Sequence, residues 1–208
     1  MAPIRVSSRL HIKQRNIHKC LIQNTFWLVA AAEIAAILLS GGKLTSPDTT
    51  KRALRILMPR GRVADLRLTP LSITGSFLVL AGCWLRLKAF RTLREFYTFE
   101  MTLRENHRLV TSGPYRYVRH PGYTAFTTIF LGLCCWFSSR GSWVRESGIL
   151  GTVAGKAFVG SFTALFVKMW VSLLQRMPEE DCLMQASFGK EWEDWARRVP
   201  YWLIPGVY

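Results

Sequence analysis

The chain has 208 residues, of which 50% are hydrophobic and 20% charged, and its formal net charge is +15. A charge of this size is typical of nucleic-acid-binding proteins, but the 28 lysine and arginine residues are spread through the loops and form no single basic face. We therefore expect no nucleic-acid partner, and the hydrophobic residues, which are collected in long runs, indicate a lipid bilayer instead.

The first apolar run covers residues 25–41 and follows five basic residues. It has no obvious small-residue cleavage site, so we interpret it as an uncleaved first span and not as a signal peptide. The next segment, residues 43–69, contains Pro47, Pro59 and Gly61 among scattered basic residues. This composition predicts a loop, with a short interfacial helix around LRILM.

Three further apolar runs follow, at residues 71–85, 122–137 and 148–174. A helix needs about 20 mostly apolar residues to cross a bilayer, and the runs approach that length. Charged residues are rare within the four runs, where they are Glu33, Lys156 and Lys168. The pattern predicts an all-α, polytopic membrane protein. A soluble bundle of buried helices remains the alternative, because the second and third runs are short.

The number of spans depends on the last run. Residues 148–174 form either one long helix or a tight helical hairpin broken near Gly155 or Gly160. We therefore expect about four to five transmembrane helices in a single integral membrane domain, residues 1–208.

The distribution of basic residues predicts the orientation. With one helix at residues 148–174, the N-terminus, residues 86–119 and the C-terminal tail share one side and hold 17 basic residues, against 9 in the loops on the other side. The positive-inside rule then puts residues 86–119 and the tail in the cytoplasm. The five cysteines show neither a CxxC pair nor a zinc-ligand spacing, so we expect no metal.

The segment GPYRYVRHPGY, residues 113–123, combines turn-forming residues with aromatic rings and cations. Gly113 and Pro114 predict a turn, and Pro121 favours an extended backbone at His120, which places Arg119 and His120 just before a span. Backbone that leaves a helix beside a membrane must be buried or line a cavity, where it can present polar groups to a ligand. The alternative is an interfacial loop whose arginines meet lipid phosphates.

A second polar segment begins with RMPEED. Pro178 followed by three acidic residues predicts a helix start there. An apolar stripe follows, suited to a helix lying on the membrane surface, and consists of Phe188, Trp192, Trp195 and Val199. Arg176 and Glu180 stand apart from this pattern, since an arginine at the end of a membrane helix can anchor an anion and a carboxylate one turn later can orient it.

Together the segments LREFYTFEMTLRENHRLVTSGPYRYVRHPGYTAF, RMPEE and FGKEWEDWARRVP resemble the isoprenylcysteine carboxyl methyltransferase family of integral membrane enzymes. The resemblance covers residues 71–208, the expected methyltransferase core. Residues 1–70 are then a variable N-terminal span and basic loop. An RHPxY element by itself is less specific, because phospholipid methyltransferases and some membrane sterol reductases carry related sequences.

The resemblance implies S-adenosylmethionine as methyl donor and the C-terminal carboxylate of a prenylated cysteine, on a protein or peptide, as acceptor. It implies a cofactor pocket formed by the two polar segments and facing the cytoplasm, in the endoplasmic reticulum membrane. The residues implied for this pocket are Glu100, His107, Arg108, Leu109, Val110, Tyr115, His120, Pro121, Gly122, Tyr123 and Glu180. Arg176 would be the catalytic residue that holds the substrate carboxylate, leaving Arg116 and Arg119 as structural or phosphate-facing cations.

Three other functions remain open. A methyltransferase of the same fold would act on another lipid or small-molecule acceptor. A sterol reductase would need a nicotinamide site, yet the sequence has no GxGxxG fingerprint. A non-catalytic membrane adaptor that binds prenylated tails would not need Arg176, Glu180 and the RHPGY element together.

Overall fold

The computed structural model describes residues 24–25, 27–40, 46–93 and 108–207. All regular structure in these ranges is helical, which confirms the predicted all-α class. The helices are α1 (Trp27–Ser40), α2 (Pro47–Leu57), α3 (Pro70–Leu93), α4 (Pro121–Ser138), α5 (Trp143–Glu146), α6 (Val153–Phe188) and α7 (Lys190–Arg198). Short 3-10 helices in the described ranges cover Val63–Asp65, Gly113–Arg116 and Ile149–Gly151.

Two of the described helices, α3 and α6, are long and apolar enough to cross a membrane. Only 17% of the apolar window of α3 and 6% of that of α6 is buried. Large apolar side chains such as Phe77, Leu80 and Phe158 are exposed on these helices. A core helix of a soluble bundle would be mostly buried, so this surface favours contact with lipid. The count of four to five spans stays a prediction.

Helix α6 corrects two expectations. It runs without a break through Gly155 and Gly160, so the hairpin is wrong. The helix start predicted at Pro178 is also wrong, because Pro178 lies inside α6. The ring removes one backbone donor but does not end the helix, which stops instead at Gly189, whose φ of 52° is in the left-handed region.

The chain divides into two compact units, and the first comprises Met1–Thr69 and Phe137–Phe166. In its described part, the segment after α2 is tied to the segment around α5. The Trp143 indole donates to the Leu57 carbonyl at 2.9 Å, and the Arg60 guanidinium donates to the Gly151 carbonyl at 2.9 Å. The short helix predicted around LRILM is present as α2, which has no buried residue.

The second unit comprises Pro70–Trp136 and Val167–Tyr208. Small residues bring α3 and α4 together in antiparallel fashion. A Cβ on Gly75 would lie 2.6 Å from the Gly132 carbonyl oxygen, and one on Gly82 would lie 2.8 Å from that of Ala125. The two contacts are seven residues apart on each helix, and small residues are enriched where membrane helices approach closely. This contact places the start of α4 beside the second half of α3.

Candidate active site

The RHPGY element is held by the C-terminal segment of the chain. The backbone N–H of Arg119 donates to the Tyr201 carbonyl at 2.9 Å, and that of His120 to the Trp202 carbonyl at 3.1 Å. Helix α4 begins at Pro121, as predicted. Because proline disfavours helical backbone at the residue before it, the His120 amide is left available for this pairing.

Arg119 is the centre of the contact with the C-terminal segment. Its guanidinium donates to the carbonyls of Val199 at 3.0 Å and Pro200 at 2.8 Å, and to the Asp181 carboxylate at 2.8 Å. The side chain is 14% exposed, so its planar fork bridges three partners inside the protein. Of the two roles predicted for Arg119, the structural one is correct, whereas Arg116 is exposed.

Four predicted site residues from the two polar segments converge on α6. The Tyr123 hydroxyl donates to Oε1 of Glu180 at 2.6 Å, and a terminal nitrogen of Arg176 lies 3.5 Å from the same oxygen. His120 lies between two carboxylates, with Nδ1 3.8 Å from Glu180 and Nε2 3.1 Å from Asp181. The site therefore contains two acids, two cationic or protonatable side chains and a phenol, joined through the Glu180 and Asp181 carboxylates.

Three buried nitrogen atoms at this site lack a hydrogen-bond partner among the described residues: His120 Nε2, Arg176 Nε and Trp192 Nε1. The His120 atom is close to Asp181 but outside hydrogen-bonding geometry. Buried polar atoms without partners are rare in folded proteins, because each costs desolvation free energy. The site therefore has hydrogen-bonding capacity that a ligand can use.

The first turn of α4 also has open space. A Cβ built on Gly122 would meet nothing within 4 Å, although Pro121 beside it is fully buried. Glycine at this position leaves room for close approach to the backbone next to His120 and Tyr123. The open space at Gly122 and the nearby nitrogen atoms without partners could together receive a polar ligand.

The remaining predicted cofactor residues lie before α4. Leu109 and Val110 are half-buried and Arg108 is exposed. Leu109 and Tyr115 pack against a buried cluster of Trp192, Trp195 and Val199. The predicted residues Glu100 and His107 lie outside the described residues.

That cluster corrects the expectation for α7. Trp192, Trp195 and Val199 are 8%, 5% and 5% exposed, and the Trp195 indole donates to the Tyr115 carbonyl at 3.2 Å. The predicted apolar stripe is present, but it packs against other residues of the protein and does not lie on the membrane surface. An amphipathic pattern reports that one face is buried and cannot identify what covers that face.

Asp181 was missed among the sequence-predicted site residues. It is 8% exposed and receives both Arg119 and the contact from His120. No local spacing indicates this role, because its partner Arg119 lies 62 positions earlier in the chain.

Comparison with known proteins shows which family this chain resembles. A model of the phospholipid methyltransferase family matches residues 71–144. A "Probable protein-S-isoprenylcysteine O-methyltransferase" of Oryza sativa subsp. indica is 30% identical over 130 residues, which are 62% of this chain and 58% of the relative. The chain thus spans less than two thirds of that relative.

Two "Protein-S-isoprenylcysteine O-methyltransferase" relatives extend the comparison. The Schizosaccharomyces pombe protein is 24% identical over 202 residues, 94% of this chain and 74% of the relative. The Homo sapiens protein is 29% identical over 146 residues, 68% of this chain and 44% of the relative. No solved structure matches the chain.

Proposed function

We propose that this chain, which matches the phospholipid methyltransferase model over residues 71–144 and resembles relatives named protein-S-isoprenylcysteine O-methyltransferase, methylates the C-terminal carboxylate of prenylated cysteine with S-adenosylmethionine as donor. One structural observation supports the proposal independently of the sequence similarity. The site lies on α6 just after its apolar part. There Arg176 and Glu180 contact each other, and His120 and Tyr123 reach Glu180 from the start of α4. A lipid-linked acceptor and a water-soluble donor have to meet at such a boundary.

Arg176 is suited to hold the acceptor. One of its terminal nitrogens is 3.5 Å from Glu180, while its buried Nε has no partner among the described residues. A carboxylate can be bound by two parallel N–H groups of a guanidinium, which fixes the orientation of its oxygens. The prenyl chain would then lie along the apolar surface of α6, in lipid.

Methyl transfer to this acceptor requires that the two reactants be positioned, and it requires no proton transfer. An α-carboxyl group has a reference pKa of about 3.3–3.7, so the acceptor is already ionised at neutral pH and needs no general base. When bound, S-adenosylmethionine supplies an electrophilic methyl group on a sulfonium. The work of the chain is to align the carboxylate oxygen held by Arg176 and to exclude water from it.

The donor would be held by residues on both sides of Glu180. His120 and Tyr123 contact Glu180 directly, Gly122 provides open space between them, and Leu109 and Tyr115 form an apolar wall. The Glu180 carboxylate is 27% exposed, so it can face a sulfonium or accept hydrogen bonds from hydroxyl groups. Arg108, Val110, Pro121, Glu100 and His107 complete the proposed set.

The experiment that tests this function measures transfer of label from S-adenosylmethionine to a farnesylated cysteine analogue in membranes that contain the full chain. Wild type is expected to form a base-labile methyl ester. Arg176→Ala should abolish the ester and still bind S-adenosylhomocysteine, whereas Arg116→Ala, at an exposed arginine, should behave as wild type. Folded wild-type protein that binds the cofactor product but forms no ester would show that the acceptor is wrong.

A second acceptor class is suggested by the match to the phospholipid methyltransferase model. If the acceptor is a phospholipid, the same labelling experiment would yield methylated lipid in an organic extract and no base-labile ester. Arg176 favours the carboxylate acceptor, because a guanidinium attracts an anion and repels the ammonium head group of a lipid.

We place the protein in the endoplasmic reticulum membrane with this site towards the cytoplasm. The support is the excess of basic residues on that side, 17 against 9. A glycosylation tag fused to the C-terminus should remain unmodified, and its modification would reverse the orientation.

A further inference from the structure

The indole N–H of Trp192 differs from three others in the described part of the chain. Trp143 donates to Leu57, Trp170 to Thr127 and Trp195 to Tyr115. Trp192 is 8% exposed, and its Nε1 has no partner among the described residues. A phenylalanine would fill much of this space without a buried donor, so a tryptophan here requires an explanation.

The position of Trp192 supplies that explanation. It belongs to the cluster that packs against Leu109 and Tyr115, two residues of the proposed cofactor set. Its ring centroid is 5.8 Å from Cζ of Arg119, and Arg119 is joined through Asp181 to His120. The indole donor without a partner therefore lies beside the network that contains His120, whose Nε2 is 3.1 Å from Asp181.

The two sides of the site differ in chemistry. Charged and protonatable groups surround Glu180, whereas the Trp192 side is apolar and aromatic, with Leu109, Tyr115 and Phe188. The charged side suits the amino-acid and sulfonium part of the methyl donor. The aromatic side suits its nucleoside, which has flat apolar faces and acceptor atoms at the edges.

We propose that Trp192 is a nucleoside-binding residue whose indole N–H donates a hydrogen bond to an acceptor atom of the adenosine part of S-adenosylmethionine. The inference rests on the proposed function, since it assigns a further contact to the same donor. It also gives α7 a role in ligand binding that its sequence did not indicate.

The test compares Trp192→Phe with wild type in the full chain, purified in detergent. S-adenosylhomocysteine affinity, measured by calorimetry, is expected to fall about tenfold, the equivalent of about 1.4 kcal/mol. The affinity for 5′-methylthioadenosine, which keeps the nucleoside and lacks the amino-acid part, should fall by the same factor. The unfolding midpoint without ligand should fall less than in Trp170→Phe, because both variants lose ring packing but only Trp170→Phe also loses a hydrogen bond.

Trp170→Phe is the matched control. Its indole donates to Thr127 at 3.1 Å, outside the site, so this variant should have a lower midpoint and unaltered ligand affinities. If Trp192→Phe does not fold, benzothienylalanine at the same position removes the N–H while nearly keeping the ring shape.

Three results would overturn the inference. The first is Trp192→Phe with a lower midpoint and wild-type affinity for both nucleosides, which would make the N–H purely structural. The second is wild-type protein that binds neither nucleoside, in which case the proposed function fails as well. Wild-type ester formation with unchanged nucleoside binding in Trp192→Phe would reject the inference alone.

Discussion

The hydroxyl of Tyr123 donates a 2.6 Å hydrogen bond to Glu180, a residue 57 positions later in the chain. The bond ties the first turn of α4 to α6. The same carboxylate oxygen lies 3.5 Å from Arg176. One carboxyl group thus connects the residues proposed to hold the donor with the arginine proposed to hold the acceptor, so a change on either side should affect the other.

Tyr123→Phe tests this connection. The variant keeps the ring and removes the donor, and a hydrogen bond to a charged group is worth about 1.5–3 kcal/mol. Because Glu180 is 27% exposed, water replaces part of the loss, and we expect S-adenosylhomocysteine affinity to fall about three- to tenfold by calorimetry. Tyr117→Phe, at a tyrosine that is 65% exposed, is the control. Equal affinities in the two variants would show that the Tyr123 hydroxyl does not organise Glu180 for binding.

Arg119 and Asp181 form a nearly buried ion pair, with side chains 14% and 10% exposed. Arg119→Ala leaves the Asp181 charge without its partner and frees two carbonyls of the C-terminal segment. Removal of one partner of a buried pair costs about 3–5 kcal/mol, so we expect a large loss of unfolding free energy in denaturant. Arg116→Ala, at an exposed position, should cost less than about 0.5 kcal/mol.

Asp181→Ala in the Arg119→Ala background provides the second half of that test. Since it removes the charge left uncompensated, the double variant should recover part of the stability lost in Arg119→Ala. Equal stability of Arg119→Ala and Arg116→Ala would mean that the ion pair does not hold the C-terminal segment in place.

The sequence predicted where helices lie better than where they end. Apolar runs located α1, α3, α4 and α6, since a run of that length has few other solutions beside lipid. The end of α6 was predicted wrongly because Pro178 followed by acidic residues is the usual sequence pattern of a helix start. Gly189, where the backbone adopts a φ of 52°, carries the actual break.

Most of the candidate site was predicted by resemblance, and only the pairing of Arg176 with Glu180 was also predicted from their spacing. No periodicity links His120 with Glu180, and only the fold brings them to 3.8 Å. Asp181 and Trp192 were missed for the same reason, since their roles depend on partners distant in the chain. The apolar face of α7 was visible in the sequence, whereas the protein surface that covers it was not.

The close contact between α3 and α4 predicts sensitivity to side-chain volume. A Cβ on Gly132 would lie 2.7 Å from the Gly75 carbonyl oxygen, which as backbone cannot move aside easily. We expect Gly132→Val to cost about 1–3 kcal/mol or more of unfolding free energy. Gly160→Val is the control on α6, because a Cβ there meets nothing within 4 Å. Similar unfolding midpoints for both variants in detergent would argue against the glycine contact.

Substitution of Gly122 should have the opposite effect, weakening ligand binding without lowering stability. Its Cβ position is open to 4 Å, and it lies in the first turn of α4 between Pro121 and Tyr123. Alanine or valine should therefore leave the unfolding midpoint unchanged or slightly higher, since glycine is about 0.8–1 kcal/mol less favourable than alanine within a helix.

If the open space at Gly122 receives the methyl donor, the added methyl groups of alanine or valine occupy it. We then expect S-adenosylhomocysteine affinity to fall in the order glycine, alanine, valine, by more than tenfold for valine. A stable Gly122→Val protein with wild-type affinity would instead place the donor away from the start of α4.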